Sequence, residues 1–226
     1  GGVITAIAMT EPGTGSDLQG MRTTAKKDGN HYVVNGAKTY ITNGQNADLI
    51  LVCCKTDTEV QPAWKGVSII LVEAEREGFK RGRNLDKIGQ DAADTSELFF
   101  EDVRVPMTNC LGEEGKGFKY IVDSMNAERI LIAGECLGDA RYFTKRASDY
   151  AKERVVFDRP IGQNQSIQHP LAKNWVELEA ARLMVMKAAW LYDKGRECGA
   201  EANAAKYFAA EAGFRACEQA ILTHGG

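Results

Sequence analysis

No apolar run in these 226 residues approaches the roughly 20 that a membrane-spanning helix needs. A basic stretch leading into an apolar one, the mark of a secretory leader, is also missing. Basic residues (28) and acidic residues (31) nearly cancel, leaving a net charge of −3. That leaves no basic surplus to grip a phosphate backbone, so nucleic acid is not expected as a partner. Only three histidines occur, His31, His169 and His224, and they lie far apart. The six cysteines, Cys53, Cys54, Cys110, Cys136, Cys198 and Cys217, match no zinc spacing, so no metal site is expected. Their pattern reads as reduced, mostly buried thiols in a cytosolic or matrix-type compartment. No Ser/His/Asp or Cys/His nucleophile arrangement stands out, and there is no internal repeat or low-complexity tract.

What is there is an ordinary globular balance, 44% hydrophobic and 26% charged. Up to about Leu111 the pattern is β. Val3–Met9, Arg22–Lys27, His31–Thr42, Asp48–Thr56, Val67–Glu73, Phe79–Leu85 and Ser96–Val105 are short runs rich in Val, Ile, Tyr, Phe and Thr. Turn signals such as Asp28-Gly29-Asn30, Asn35-Gly36 and Asn43-Gly44 separate them. Strands without intervening helices predict an antiparallel sandwich or barrel. From Lys116 the period turns helical over Lys116–Glu153, Ser166–Lys194 and Ala200–Thr223, which predicts an antiparallel bundle. The expected class is α+β, with a β domain over 1–113, a helical domain over 114–226 and a hinge-like link at Gly112–Gly117. Both ends read as cut, because Val3–Met9 is already core-like and Leu222–Gly226 opens a glycine turn; a piece of a longer polypeptide is expected.

Several residues are candidates for chemistry. Ala8-Met9-Thr10-Glu11-Pro12-Gly13-Thr14-Gly15-Ser16-Asp17 ends an apolar run in small and polar residues. Such a loop exposes backbone N–H groups that can cradle an anion or the polar edge of a ring, although most glycine-rich turns are only turns. Ile121, Met125, Glu128 and Ile132 recur at helical spacing and place Glu128 on an otherwise apolar stripe. Glu128 is then either a desolvated general base or a stripe-edge carboxylate paired with a nearby cation. Arg129 points about 100° away and suits a phosphate or carboxylate, or simply the surface. Arg154 fits either a pyrophosphate or the negative end of its helix, with Phe157 available to cover a base. Tyr40 is either core or a cofactor stack, and Thr42 either a turn residue or a ligand.

Taken together, these motifs resemble the acyl-CoA dehydrogenase family. The segment at 8–17 resembles that family's first signature, and Asn35-Gly36-Ala37-Lys38-Thr39-Tyr40-Ile41-Thr42-Asn43-Gly44 its second flavin-contact segment. Phe100–Pro106 and Gly112–Phe118 are similar to its sheet-to-helix link. Arg154-Val155-Val156-Phe157, Pro160-Ile161 and Gln165-Ser166-Ile167-Gln168 are similar to its helical hairpin. The resemblance spans essentially the whole chain. It implies the middle β domain, most of a C-terminal four-helix domain, FAD as cofactor, an acyl-CoA substrate, an electron-transfer flavoprotein as acceptor and a homotetramer or dimer. It implies that Thr10, with the backbone around Met9, bonds the polar edge of the isoalloxazine. Tyr40, where many members have Trp, would pack on the ring, and Thr42 would bond near its N5. Ser16 would serve the pyrophosphate or the CoA, and Arg129 the substrate. Arg154, Phe157 and Gln165 would contact the adenosine half of FAD in a partner subunit, next to the turn begun by Gly225 and Gly226. Leu222 stands where the family often has Gln. Glu128-Arg129 matches the members that carry the base on this helix, so the resemblance assigns the base to Glu128. The related readings are an oxidase, a monooxygenase or an alkylation-response member, or a fragment without catalysis.

Overall fold

A computed structural model describes residues 2–225. The chain divides into two compact units, residues 1–121 and 122–226.

In the first unit, β-branched and aromatic residues build seven strands among the described residues. They are β1 (Thr5–Ala8), β2 (Thr24–Asp28), β3 (His31–Thr42), β4 (Leu49–Lys55), β5 (Val67–Glu73), β6 (Phe79–Asn84) and β7 (Thr95–Pro106). They form one curled sheet in the order β1-β4-β2-β3-β7-β6, with β5 also paired to β4. The sheet is mixed, which corrects the expectation of an antiparallel sandwich or barrel. β1 runs parallel to β4, from Thr5 opposite Leu49 to Ala8 opposite Val52, and Thr24 meets Lys55 in the same sense. Residues 9–23 carry the chain back before β2 begins. β1, β2 and β4 therefore run one way, and the alternation that marks a strand says nothing about such a return.

β3 is the central strand. It pairs antiparallel with β2 through the tight Gly29-Asn30 turn and with β7 along most of its length. Tyr32, Val34, Ile41, Ile50, Val52, Ile70, Leu98 and Phe100 fill the core on one face. The β3–β7 ladder shifts register between Val34 and Gly36. Asn35 and Asp102 bond each other reciprocally there, side chain to side chain at 2.9 Å and Asp102 N–H to Asn35 Oδ1 at 2.9 Å. Gly36, at φ 151, lies where a Cβ would meet Thr23 Oγ1 at 2.3 Å and its Cα at 2.8 Å, so no side chain fits.

The expected hinge at 112–117 is a tied segment instead. Gly115 N–H donates to Ser68 Oγ at 2.8 Å, and Glu113 N–H donates to Tyr120 Oη at 3.1 Å. A Cβ on Gly117 would lie 2.7 Å from the Ser68 backbone, so only glycine lets the chain start its helix this close to β5.

The helices are α1 (Gly117–Glu153), which opens in the first unit, α2 (Gln165–Asp193) and α3 (Gly199–His224). A short hairpin, β8 (Val155–Val156) and β9 (Arg159–Pro160), joins α1 to α2 and was not foreseen. In the second unit α1 buries Ala133, Leu137, Ala140, Thr144, Ala147 and Ala151, spaced alternately four and three. Ala181 and Ala188 of α2, and Ala205, Ala209, Ala212 and Ala216 of α3, meet that stripe. Small residues let the helices pack closely: the position a Cβ on Gly213 would take lies 3.3 Å from Cys136 O. Among the described residues no helix is long and apolar enough to cross a membrane.

Candidate functional site

β1 stops at Ala8 because Pro12, Gly13 and Gly15 follow, residues that favour a turn over a ladder. Glu11 and Thr14 close the turn with mutual backbone bonds, Glu11 N–H to Thr14 O at 2.9 Å and Thr14 N–H to Glu11 O at 3.1 Å. The Glu11 side chain turns inward, 6% exposed. Its carboxylate accepts from Arg22 N–H at 2.6 Å, Thr23 N–H at 3.0 Å and Lys38 Nζ at 2.9 Å. Burial pushes this carboxyl up, but the bonds from Thr23 and Arg22 and the Lys38 charge outweigh it and hold the group below the usual carboxylate value. Lys38 is itself buried and also donates to Met9 O at 2.9 Å. Thr39 N–H donates to Thr10 O at 2.9 Å. The loop is thus pinned to β3 from three sides. Among the described residues the Thr10 N–H has no protein acceptor. Ser16 is exposed, and nothing lies within 4 Å of where a Cβ on Gly13 or Gly15 would stand.

The Thr39–Thr10 bond sets Tyr40 beside this loop. Tyr40 adopts φ 58 at a second register shift and is 68% exposed. A left-handed backbone under a bulky side chain is costly and marks a position held by its surroundings. Thr42, also exposed, ends the strand. The turn after it is fixed by Asp94, whose carboxylate accepts from Gln45 N–H at 2.7 Å and Asn46 Nδ2 at 3.0 Å, and by Arg81, which donates to Gly44 O and Ala47 O. Glu11, Lys38, Asp94 and Arg81 were not singled out in the sequence. A lysine midway in a Val/Ile/Tyr strand was the one available signal.

The apolar stripe that spacing predicts is buried only in part: Ile121 is 1% exposed and Met125 half-buried. Ile132, one turn past Glu128, is 40% exposed, and Glu128 is exposed. The stripe facing α2 and α3 runs through Ala133 and Leu137, and Glu128 points nearly opposite to it at about 100° per residue. Nor does Glu128 have an ion-pair partner among the described residues. Arg129 contacts Asn126 Oδ1 at 3.4 Å and Met125 Sδ at 3.8 Å. Arg154 is exposed, and its guanidinium has no acceptor among the described residues. Phe157 (φ 53) and Asp158 (φ 59) form the two-residue tip of the β8–β9 hairpin, which presents the Phe157 ring 92% exposed. Gln165 opens α2. Gly225, at φ 92, caps α3, and the His224 ring before it stacks on Tyr150 with centroids 4.3 Å apart. An open groove of about 560 Å³ runs beside Gly225, Tyr142, Phe143 and Arg146. Gly226 lies outside the described residues.

Among the described residues no group of three His, Cys, Asp or Glu side chains is placed to hold a metal. Cys53 and Cys54 are buried in the sheet, and burial pushes both thiols up, Cys53 to about 12.

Residues 6–103 match the model of the acyl-CoA dehydrogenase middle domain, and residues 115–226 match that of the acyl-CoA dehydrogenase C-terminal domain. The chain belongs to the acyl-CoA dehydrogenase family. It is 42% identical over 226 residues to the mitochondrial long-chain specific acyl-CoA dehydrogenase of Sus scrofa, covering all of this chain and 53% of that protein. It thus spans about half the length of the curated relatives it matches. The crystal structure of an acyl-CoA dehydrogenase from Geobacillus kaustophilus superposes with a TM-score of 0.96 at 43% identity, over 100% of this chain and 59% of that one. A structure described as PigA with FAD and proline gives a TM-score of 0.96 at 32% identity, over 100% and 58%. Acyl-CoA dehydrogenases are flavoprotein oxidoreductases of fatty-acid metabolism, typically tetrameric.

Proposed function

We propose that the polypeptide carrying this chain is a FAD-dependent acyl-CoA dehydrogenase that converts an acyl-CoA thioester to the trans-2-enoyl-CoA and passes electrons to an electron-transfer flavoprotein. The observation that carries this reading is the unsatisfied Thr10 N–H beside the outward Tyr40 ring, the two joined through the Thr39 N–H to Thr10 O bond. A free backbone donor beside a flat, exposed aromatic side chain in a strained conformation suits a ring with one polar edge. The residues present therefore fit FAD. When bound, FAD supplies the acceptor for the hydride that leaves the thioester's β-carbon.

The chain's own residues divide the remaining work. Thr10, with the backbone around Met9, holds the ring's polar edge, Tyr40 packs on its face and Thr42 bonds near N5. Ser16 serves the pyrophosphate or the CoA, and Arg129 the substrate. Glu128 removes the α-proton, a role that needs a carboxylate without a competing ion-pair partner. Arg154, Phe157, Gln165, Gly225 and Gly226 receive the adenosine half of FAD from a partner subunit. For this role the exposed, unpaired Arg154 guanidinium and the bare Phe157 ring are suited. The assembly is a homo-oligomer acting in the bacterial cytoplasm or the mitochondrial matrix.

Anaerobic titration of the full-length protein with a panel of acyl-CoAs, following flavin absorbance, tests the reading. Wild type bleaches with its substrate. Glu128→Gln binds the same acyl-CoA and does not bleach; normal bleaching in that variant moves the base elsewhere. A wild type that bleaches with no acyl-CoA refutes the dehydrogenase assignment.

A further inference from the structure

Lys38 Nζ donates to Met9 O and to Glu11 Oε1, each at 2.9 Å, and the two side chains are 0% and 6% exposed. Met9 O and the Thr10 N–H are the two ends of one conjugated peptide group. A cation on the oxygen end polarises that group and makes its N–H a stronger donor, and the effect is largest where water is excluded. The following peptide is held too, by Thr39 N–H on Thr10 O. The Thr10 N–H is therefore fixed in place, strengthened and left without a protein acceptor among the described residues.

We propose that Lys38 is a positioning residue acting through the Met9–Thr10 peptide: it strengthens the Thr10 N–H toward the polar edge of a bound isoalloxazine, and its charge raises the reduction potential of that ring. This inference rests on the FAD reading above. The ring gains negative charge on reduction, so a buried cation nearby favours the reduced form, and the Glu11 carboxylate opposes it. Lys38 and Glu11 therefore act with opposite sign. A clamp that mattered only for shape would respond in the same direction to the loss of either partner.

The test measures the midpoint potential of FAD in the full-length holoprotein, by equilibration with a reference dye, for wild type, Lys38→Met and Glu11→Gln. The inference expects a more negative potential in Lys38→Met and a more positive one in Glu11→Gln. Shifts in the same direction, or none in either variant, overturn it. Should Lys38→Met fail to load flavin, Glu11→Gln decides: an unchanged or lowered potential overturns the inference. A wild type that holds no FAD and takes none up from solution overturns the FAD reading and this inference with it. That result is distinct from a loaded enzyme whose potential ignores both substitutions.

Discussion

Tyr32 Oη donates to Glu114 Oε2 at 2.6 Å, joining the central strand to the segment that leads into α1. Lys27 reaches the same carboxylate oxygen at 2.9 Å. Burial, and then the Glu114 carboxylate, push the Tyr32 hydroxyl far above the usual phenol value, so it remains a donor throughout the working pH range. A segment that reads as a glycine-rich hinge is in this way held to the sheet by side chains from β2 and β3.

Tyr32→Phe keeps the buried ring and removes only this bond. Hydrogen bonds to a charged acceptor contribute about 1.5–3 kcal/mol. The variant should lose stability in that range in urea denaturation with an unchanged m-value. A loss below about 0.5 kcal/mol would show that Lys27 alone holds Glu114.

Acid should weaken the first unit through two carboxylates. Glu11 sits below its ordinary value, and Glu73 is held at about 2, chiefly by its bond from Arg76 and against burial. A group lowered by folding stabilises fully above its unfolded value, near 4.5 here, and loses that contribution as pH falls through the folded value. Glu73→Gln should be less stable than wild type at neutral pH, and the gap should close on acidification from about pH 5 to about pH 2. Equal slopes of stability against pH for the two proteins would contradict the assignment.

Tyr40→Gly separates stability from binding. Glycine adopts φ 58 without strain but gains freedom in the unfolded chain, and the two effects are each about 1 kcal/mol and opposed. Thermal stability of the flavin-free protein should stay within about 1 kcal/mol of wild type. Flavin occupancy, read as visible absorbance per polypeptide, should fall, because the exposed ring is gone. Retained occupancy would remove Tyr40 from the site.

Much of the fold was legible in the sequence. β3 and β5 fall on runs rich in β-branched and aromatic residues bounded by turn signals, a composition that marks a strand whether one face is buried, as at the start of β3, or both are, as along Val67–Ile70 of β5. The parallel β1–β4 pair was not legible, since pairing between strands far apart in sequence leaves no local trace. The Met9–Asp17 loop stood out by composition, but the residues that hold it did not: Lys38 and Glu11 gain their roles only by meeting across 27 positions. The exposure of Glu128 was not legible for a related reason. Its neighbours Ile121 and Ile132 are apolar at helical spacing, yet Ile132 is exposed within its unit, and apolar residues on a helix need not share one covered face.

The charged pair under the loop also constrains how the sheet can assemble. A slip of β3 by one residue would turn its side chains to the opposite face. The Lys38 ammonium would then leave Glu11, and a buried carboxylate would lose its cation, which costs about 3–5 kcal/mol in comparable cases. An apolar residue at position 38 would tolerate neighbouring alignments far more readily. The ion pair thus acts as a registration pin: it excludes near-miss pairings of the strand on which Tyr40 and Thr42 are displayed.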